Sequence, residues 1–281
     1  MKESDVAACA RVQGTALAKL RVDLGLPPTP HGRNGDAAAA ERVAHLLRTD
    51  PDGSLVAEGS TIVGFGQASR RDRCWTLAHL FIEPSEQSHG AGTALLHRLD
   101  AWGQDLPVGL IGSTADPRAM RAYARLPGFR LHPAVRAEGS IRHRPASSPA
   151  VVPASRTDAI TEAVRVDDMV RGGGRAADLA HLLDHGHEAH LIVGRGYVIS
   201  SASEISTLAA TDNEAAAALL ADALARADAN AHLVLPRMTS DQHWAIPVIL
   251  NAGLELRPWG PLAVRGLDSP PAPYLPHPAL C

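Results

Sequence analysis

The chain has 281 residues, 45% hydrophobic and 20% charged, with a formal net charge of −3. That is apolar material enough for the cores of two domains, while scattered Lys and Arg and 4% aromatics leave neither a basic face nor a stacking surface for nucleic acid. The start "MKESDVAACARV" lacks an apolar signal region, no run of 18 apolar residues predicts a membrane span, and the three distant cysteines (Cys9, Cys74, Cys281) suit reduced thiols, so a cytoplasmic protein is expected.

Apolar positions at helical spacing (Val6, Cys9, Ala10, Val12, Leu17, Leu20) predict a first helix over 4–20, and "LGLPPTPHGRNGD" breaks it. A second helix is expected over 37–48. Three strands follow in "SLVAE", "TIVGFGQAS" and "CWTLAHLFI", the last apolar on both faces as in a covered central strand. Glycines and a helix come next at 90–102, then a strand in "VGLIGST". "ADPRAMRAYARL" is a helix with Asp116 as N-cap and Pro117 in its first turn. Two short strands around "GFRLHP" and "AEGSIR" are expected to close this half.

"RPASSPAVVPAS" has linker composition. Beyond it the order repeats: a helix in "AADLAHLL", strands in "HLIVG", "YVISS" and "EISTLAA", a long helix in "NEAAAALLADALARA", a strand in "HLVLP", a helix in "SDQHWAIPVILNAG", and strands in "LELRP" and "PLAVRG". Ala94-Leu95-Leu96 precedes Gly128-Phe129 by 34 residues, and Ala218-Leu219-Leu220 precedes Gly253-Leu254 by 35. Matching spacing and order favour duplication. The expected division is a first domain over 1–145, a linker over 146–155, a second domain over 156–267 and a proline-rich tail over 268–281, either docked through Tyr274 and Leu275 or free.

The stretch "EQSHGAGTALLHRL" carries the chemistry. Gly90 and Gly92 let backbone approach a ligand, and N–H groups at a helix start favour anions. A strand before and a helix after fit a pyrophosphate cradle; the plainer alternative is a turn before a surface helix. "DHGHEAH" (His185, His187, His190) lacks the His-Glu-x-x-His spacing of a zinc site and reads as histidines near a helix C-terminus, so no metal is expected. "RGGGR", 171–175, reads as a loop because no strand precedes it.

Over residues 4–142 the sequence resembles the GNAT superfamily of acetyl-CoA-dependent N-acetyltransferases. Leu80-Phe81-Ile82-Glu83-Pro84 matches its Leu-x-Val-x-Pro strand, and Gln87-Ser88-His89-Gly90-Ala91-Gly92 its Gln/Arg-x-x-Gly-x-Gly/Ala loop. Asp116-Pro117-Arg118-Ala119-Met120-Arg121-Ala122-Tyr123 matches its Asn-x-x-Ala-x-x-x-Tyr motif, with Gly128-Phe129 following. The resemblance implies an α/β (α+β) protein of two tandem GNAT-like domains, each a mixed, mostly antiparallel sheet flanked by helices. It further implies acetyl-CoA with its pyrophosphate on the backbone of 87–93 (Gln87 to Thr93), its pantetheine along Leu80–Ile82, and contributions from Asp116 and Ala119. Tyr123 would protonate the departing thiolate, unless it is a core phenol. His79, beside the thioester position, is either the general base or a satisfied core histidine.

The sequence departs from the family pattern in three places. The usual first strand is missing, Ser88-His89 stands where a glycine and a basic residue are usual, and Pro127 adds a residue before Gly128. In the second half Ile249 aligns with Tyr123 and "STLAATDNEAAAALL" has no glycine, so this half reads as a decayed copy completing the acceptor pocket. The function implied is transfer of acetyl from acetyl-CoA to an amine, of a small molecule, by a monomer or homodimer. The alternative is an acyl-CoA sensor or structural partner without turnover.

Overall fold

The computed structural model describes residues 1–26 and 33–280, without the side chains of 33–36 and 236. Residues 27–32 of the loop expected to shape the acceptor site (21–36), and Cys281, lie outside the described residues.

Helix α1 (Val6–Asp23) buries Cys9, Ala10, Val12, Gln13 and Ala16, one face of the predicted stripe. It packs with α2 (Arg33–Thr49) on a sheet begun by the meander β1 (Ser54–Glu58), β2 (Ile62–Arg71) and β3 (Cys74–Ile82). Helix α3 (Ala91–Trp102) buries Leu95, Leu96 and Leu99 against that sheet. It leads to β4 (Val108–Gly112), parallel to β3 as a helical crossover requires. Helix α4 (Pro117–Tyr123) starts as predicted, the Asp116 side chain accepting from the Arg118 N–H. The two short strands expected after it form one, β5 (Arg130–Gly139).

The second half runs β6 (Val152–Pro153), α5 (Arg156–Arg171), α6 (Ala176–Asp184), β7 (Glu188–Ile192), β8 (Gly196–Ser200), β9 (Ile205–Ala210), α7 (Asn213–Arg226), β10 (Leu233–Met238), α8 (Ala245–Asn251), β11 (Glu255–Arg265) and β12 (Tyr274–Leu275). "LELRP" and "PLAVRG" again merge, here into β11. Element order thus follows the first half closely, but only one of the two sheets is mixed, through the parallel pair β3/β4; the sheet formed by β6, β7, β8, β9 and β12 is antiparallel throughout, where a mixed sheet was expected in each half. The sheets do not follow chain order. A seven-stranded sheet has the order β1-β2-β3-β4-β11-β5-β10 and a five-stranded one β12-β9-β8-β7-β6. Strand β11 lies between β4 and β5, pairing Ala263 with Ile111 on one side and with Leu131 on the other. The C-terminal half therefore supplies two strands to the N-terminal sheet, while part of the proline-rich linker edges the other sheet as β6.

Buried charges join the halves further. Arg71 on β2 bonds to Asp178 on α6 (2.8 Å) and to Asp50 (2.8 Å), and His45 on α2 shares Asp178 (2.8 Å). Although burial pushes the Asp178 carboxyl up, hydrogen bonds from His45 and Arg71 hold it well below the carboxylate range. "RGGGR" belongs to this junction: Gly172 closes α5 in the left-handed conformation, and the Gly174 N–H donates to Asp72 (2.9 Å). The tail docks. β12 pairs with β9, Gln242 donates to the Pro271 carbonyl (2.8 Å), and the His277 Nδ1 accepts from the N–H groups of Ala279 and Leu280 (3.0 Å each). Beneath it Arg175 is fully buried and bonded to Asp167 (2.8 Å), Tyr197 and Thr207.

Candidate active site

Strands β3 and β4 pair only from Cys74/Val108 to Leu77/Ile111. Beyond that they splay, and residues 78–82 keep β2 as neighbour on one side with no strand on the other. Leu80, Phe81 and Ile82, expected along the pantetheine, lie on this unpaired edge. A β-bulge begins where the splay opens: Gln67 faces His79 and Ala68 faces Leu77, leaving Ala78 unmatched. Bulges re-aim the side chains beside them.

The bulge places His79 at 2% exposure, its Nδ1 2.9 Å from the Gln67 Oε1. Gln67 donates through its Nε2 to the Val43 carbonyl and to Ser54 (3.0 Å each), so its Oε1 accepts and the imidazole carries its hydrogen on Nδ1. The Nε2 is then an acceptor, buried and without a hydrogen-bond partner among the described residues. Burial, followed by the charges of Arg42 and His277, pushes the imidazole down to about 3, so it stays neutral at physiological pH.

Residues 83–90 lead from β3 to α3. Ser88 (φ +68°) and Gly90 (φ +95°) are left-handed, and Gly90 is the N-cap without a side-chain bond. The first N–H groups of α3, at Ala91, Gly92 and Thr93, are thus left without a capping side chain. At Gly92 the backbone passes close to β3, and a Cβ there would lie 3.3 Å from Ile82 Cγ1, a tight contact. Ser88, His89 and Gly90 are exposed, so the loop opens to the surface. The Gln87 Nε2 donates to the Ile82 carbonyl (3.0 Å), while its Oε1 accepts from Arg118. Gln87 therefore braces the turn with its side chain. Asp116 is engaged as well, accepting from the Arg118 N–H (2.9 Å) and guanidinium (3.0 and 2.9 Å).

Ala119 and Tyr123 share one face of α4 and pack in the same core cluster. Tyr123 is 6% exposed and reaches a cavity of about 500 Å³ at the splay. Burial pushes its phenol well above the ordinary range, so it is a protonated donor. The cavity brings together Tyr123, His79 and the unpaired edge of β3 with residues no motif pointed to: Arg42 of α2, and Glu204, Arg237 and His277 of the second half. Arg237 comes from a bulge in β10 with φ +60°, reaches the carbonyls of Gly112 (3.1 Å) and Ser113 (3.4 Å), and bears electrostatically on Tyr123. Its signal was unreadable in sequence because it acts across 125 residues. No residue of 87–93 lines this cavity, so the loop and the cavity lie at separate places along the β3 edge.

Among the described residues no cluster of three or more His, Cys, Asp or Glu side chains could hold a metal ion. In "DHGHEAH", His185 and His187 bond through Nδ1 to the carbonyls of His181 (2.7 Å) and Leu182 (3.1 Å) near the end of α6. No described helix is long and apolar enough to cross a membrane.

The parallel strand pair that opens into a wedge, followed by a glycine-led helix start, belongs to an α/β fold with known counterparts. Residues 23–129 match the acetyltransferase (GNAT) family. Across the whole chain the fold is that of several solved structures. A Pyrococcus horikoshii protein, described as a candidate acetyltransferase, superposes over 100% of this chain and 94% of its own at 15% identity, with a TM-score of 0.78. A GCN5-related N-acetyltransferase from Sphaerobacter thermophilus covers 96% of both chains at 13% identity (TM-score 0.58). A tandem GNAT protein from the clavulanic acid biosynthesis pathway covers 95% of this chain and 96% of its own at 13% identity (TM-score 0.53). No curated protein matches the sequence.

Proposed function

We propose that the protein is an N-acetyltransferase that moves the acetyl group of acetyl-CoA to the amine of a small molecule, with the chemistry in the N-terminal GNAT domain and the C-terminal half as a second, non-catalytic GNAT-like unit. The observation that carries this reading is the splay of β3 from β4 beyond Leu77/Ile111, which leaves the edge at 78–81 without a strand partner among the described residues, beside a cavity holding Tyr123. The pyrophosphate would rest on the backbone of residues 88–93 at the start of α3, where N–H groups and helix dipole favour an anion. The pantetheine amides would pair with the edge at Leu80–Ile82 as an added strand. Gln87 and Asp116, whose side chains are engaged with each other through Arg118, would hold the loop and α4 in place.

In the reaction, the amine nitrogen bonds to the acetyl carbon and the carbon–sulfur bond breaks. Tyr123 delivers its proton to the sulfur, and the Arg237 guanidinium stabilises the phenolate left behind. The proton shed by the amine leaves through water and restores the phenol. His79 would accept a hydrogen bond at Nε2 from the amine or that water; an imidazole held so low orients a proton transfer and does not store the proton.

Calorimetric titration with acetyl-CoA, followed by measurement of CoA release over an amine panel, tests this. Micromolar binding at one site per chain with amine-dependent release is expected. Binding without release would leave an acyl-CoA sensor; two sites would overturn the silent second half; no binding would overturn the cradle.

A further inference from the structure

The cavity beside His79 contains a guanidinium with no ion-pair partner among the described residues. Arg42 lines it from α2, half-buried, and among the described residues its guanidinium makes no hydrogen bond and no ion pair. Four other enclosed arginines of this chain have carboxylate partners, Arg175 with Asp167, Arg71 with Asp50 and Asp178, Arg265 with Asp100 (2.8 Å) and Arg136 with Glu138 (2.7 Å), while Arg171 and Arg237 bond to backbone carbonyls. Burying a guanidinium without an acceptor is costly, and a planar fork of donors matches a carboxylate. The one carboxylate in the cavity wall, Glu204, bears on Arg42 electrostatically but lies beyond ion-pair distance, with His187 as its nearer partner (3.8 Å).

These groups sit at the acceptor end. Arg42 and His277 are the charges that bear on His79, and no part of the 87–93 loop lines the cavity, so Arg42 is not placed to hold the CoA phosphates. A volume of about 500 Å³ suits a small molecule. We infer that the acetyl acceptor is an amine that also bears a carboxylate, an amino-acid-like molecule whose carboxylate is forked on the Arg42 guanidinium while its amine faces His79 and the open edge of β3. This rests on the acetyltransferase reading above and names its acceptor class. Glu204 in the same wall attracts the ammonium form on entry and disfavours acceptors with a second negative group. The bonds made and broken are those already given, and Arg42 takes no part in them; it is a specificity residue.

The test is CoA release with L-amino acids, with their primary amides and with the corresponding decarboxylated amines, in the wild type and in Arg42→Gln, with acetyl-CoA affinity measured on both proteins. The acids are expected to exceed the other two series by about tenfold or more in kcat/KM, since a site built for a polar group rejects an analogue lacking it. In Arg42→Gln the ratio should fall to about one through KM, with acetyl-CoA affinity unchanged. Amides or decarboxylated amines serving as well as acids in the wild type would overturn the inference and leave the acetyltransferase reading standing, as would an unchanged ratio in the variant. Acetyl-CoA bound without release from any series would overturn both. Should Arg42→Gln fail to fold, Arg42→Lys, which keeps the charge but loses the fork, should show an intermediate ratio, and the wild-type ratio decides by itself.

Discussion

The molecule contains two helix starts at corresponding places, and they are built differently. Helix α3 is reached from β3 through residues 83–90, with left-handed Ser88 and Gly90 and no capping side chain. Helix α7 is reached from β9 through residues 211 and 212 only. Its start is capped by Asp212, which accepts from the Ala215 N–H (2.9 Å), and Arg195 ties both Asp212 (2.6 Å) and Glu214 (2.9 Å) to it. One start leaves its donors without a side-chain cap, and the other satisfies them with its own carboxylates. The helices that follow differ in the same sense: α4 ends in Tyr123, which opens on the cavity, whereas Ile249 of α8 is sealed in the core. The glycine turn and the phenol of the first half have no counterpart in the second.

The largest effect expected from breaking this contrast is at the proton donor. Tyr123→Phe gives α4 an apolar side chain like that of α8 and should slow acetyl transfer by about 100-fold in kcat. Its acetyl-CoA affinity should stay near wild type; an unchanged rate would remove the phenol from the chemistry.

Acid should distinguish the two regions next. Burial pushes His79 and His277 down to about 3 from an ordinary 6.5, so between these values the unfolded chain binds protons that the folded chain does not. Their contribution to stability is therefore full above pH 6.5 and declines as pH falls, by about 1 kcal/mol per histidine from pH 6.5 to 5.5. Asp212, held down to about 2 by Arg195 and the Ala215 N–H, contributes above the ordinary carboxylate range and loses that only as pH falls toward 2. Urea midpoints at pH 6.5 and 5.5 should show the histidine slope in the wild type and a shallower one in His79→Gln.

Converting the open start into the closed kind is the third comparison. Gly90→Asp, a residue tolerated at positive φ, puts a carboxylate where the anion should bind and is expected to weaken acetyl-CoA binding by about tenfold. Calorimetry reads this directly, and undiminished affinity would place the phosphates elsewhere. The smallest effect is the reverse change. Asp212→Ala should cost about 1 kcal/mol of stability by thermal or chemical unfolding, with no acetyl-CoA site gained.

Much of this was legible in the chain. The Asp116 cap, the shared face of Ala119 and Tyr123, the glycine turn and the element order all depend on residues within a few positions of one another, and the structure has each of them. Other features were not. Two predicted short strands became β5, and two more became β11, because Pro133, Gly260 and Pro261 at the breaks fall within the register shift between Trp259 and Leu262, where they are left out of the ladder and pairing resumes beyond them. The tail's docking rests on backbone pairing with β9 and on Gln242, thirty residues away in the chain. Arg42 and Arg237 carry no motif at all, and their meaning lies in what surrounds them.

By itself the sequence determined the local chemistry: where helices start and stop, which turn can approach an anion, and that one half has a phenol where the other has an isoleucine. Only the tertiary structure decided that β11 separates β4 from β5, that β3 parts from β4 at Leu77, and that one cavity gathers side chains from both halves. Caps and turns are short-range matters of side chain and φ. Strand neighbours are selected by backbone hydrogen bonds that every residue but proline can make, so the choice between them rests on the packing of the whole molecule.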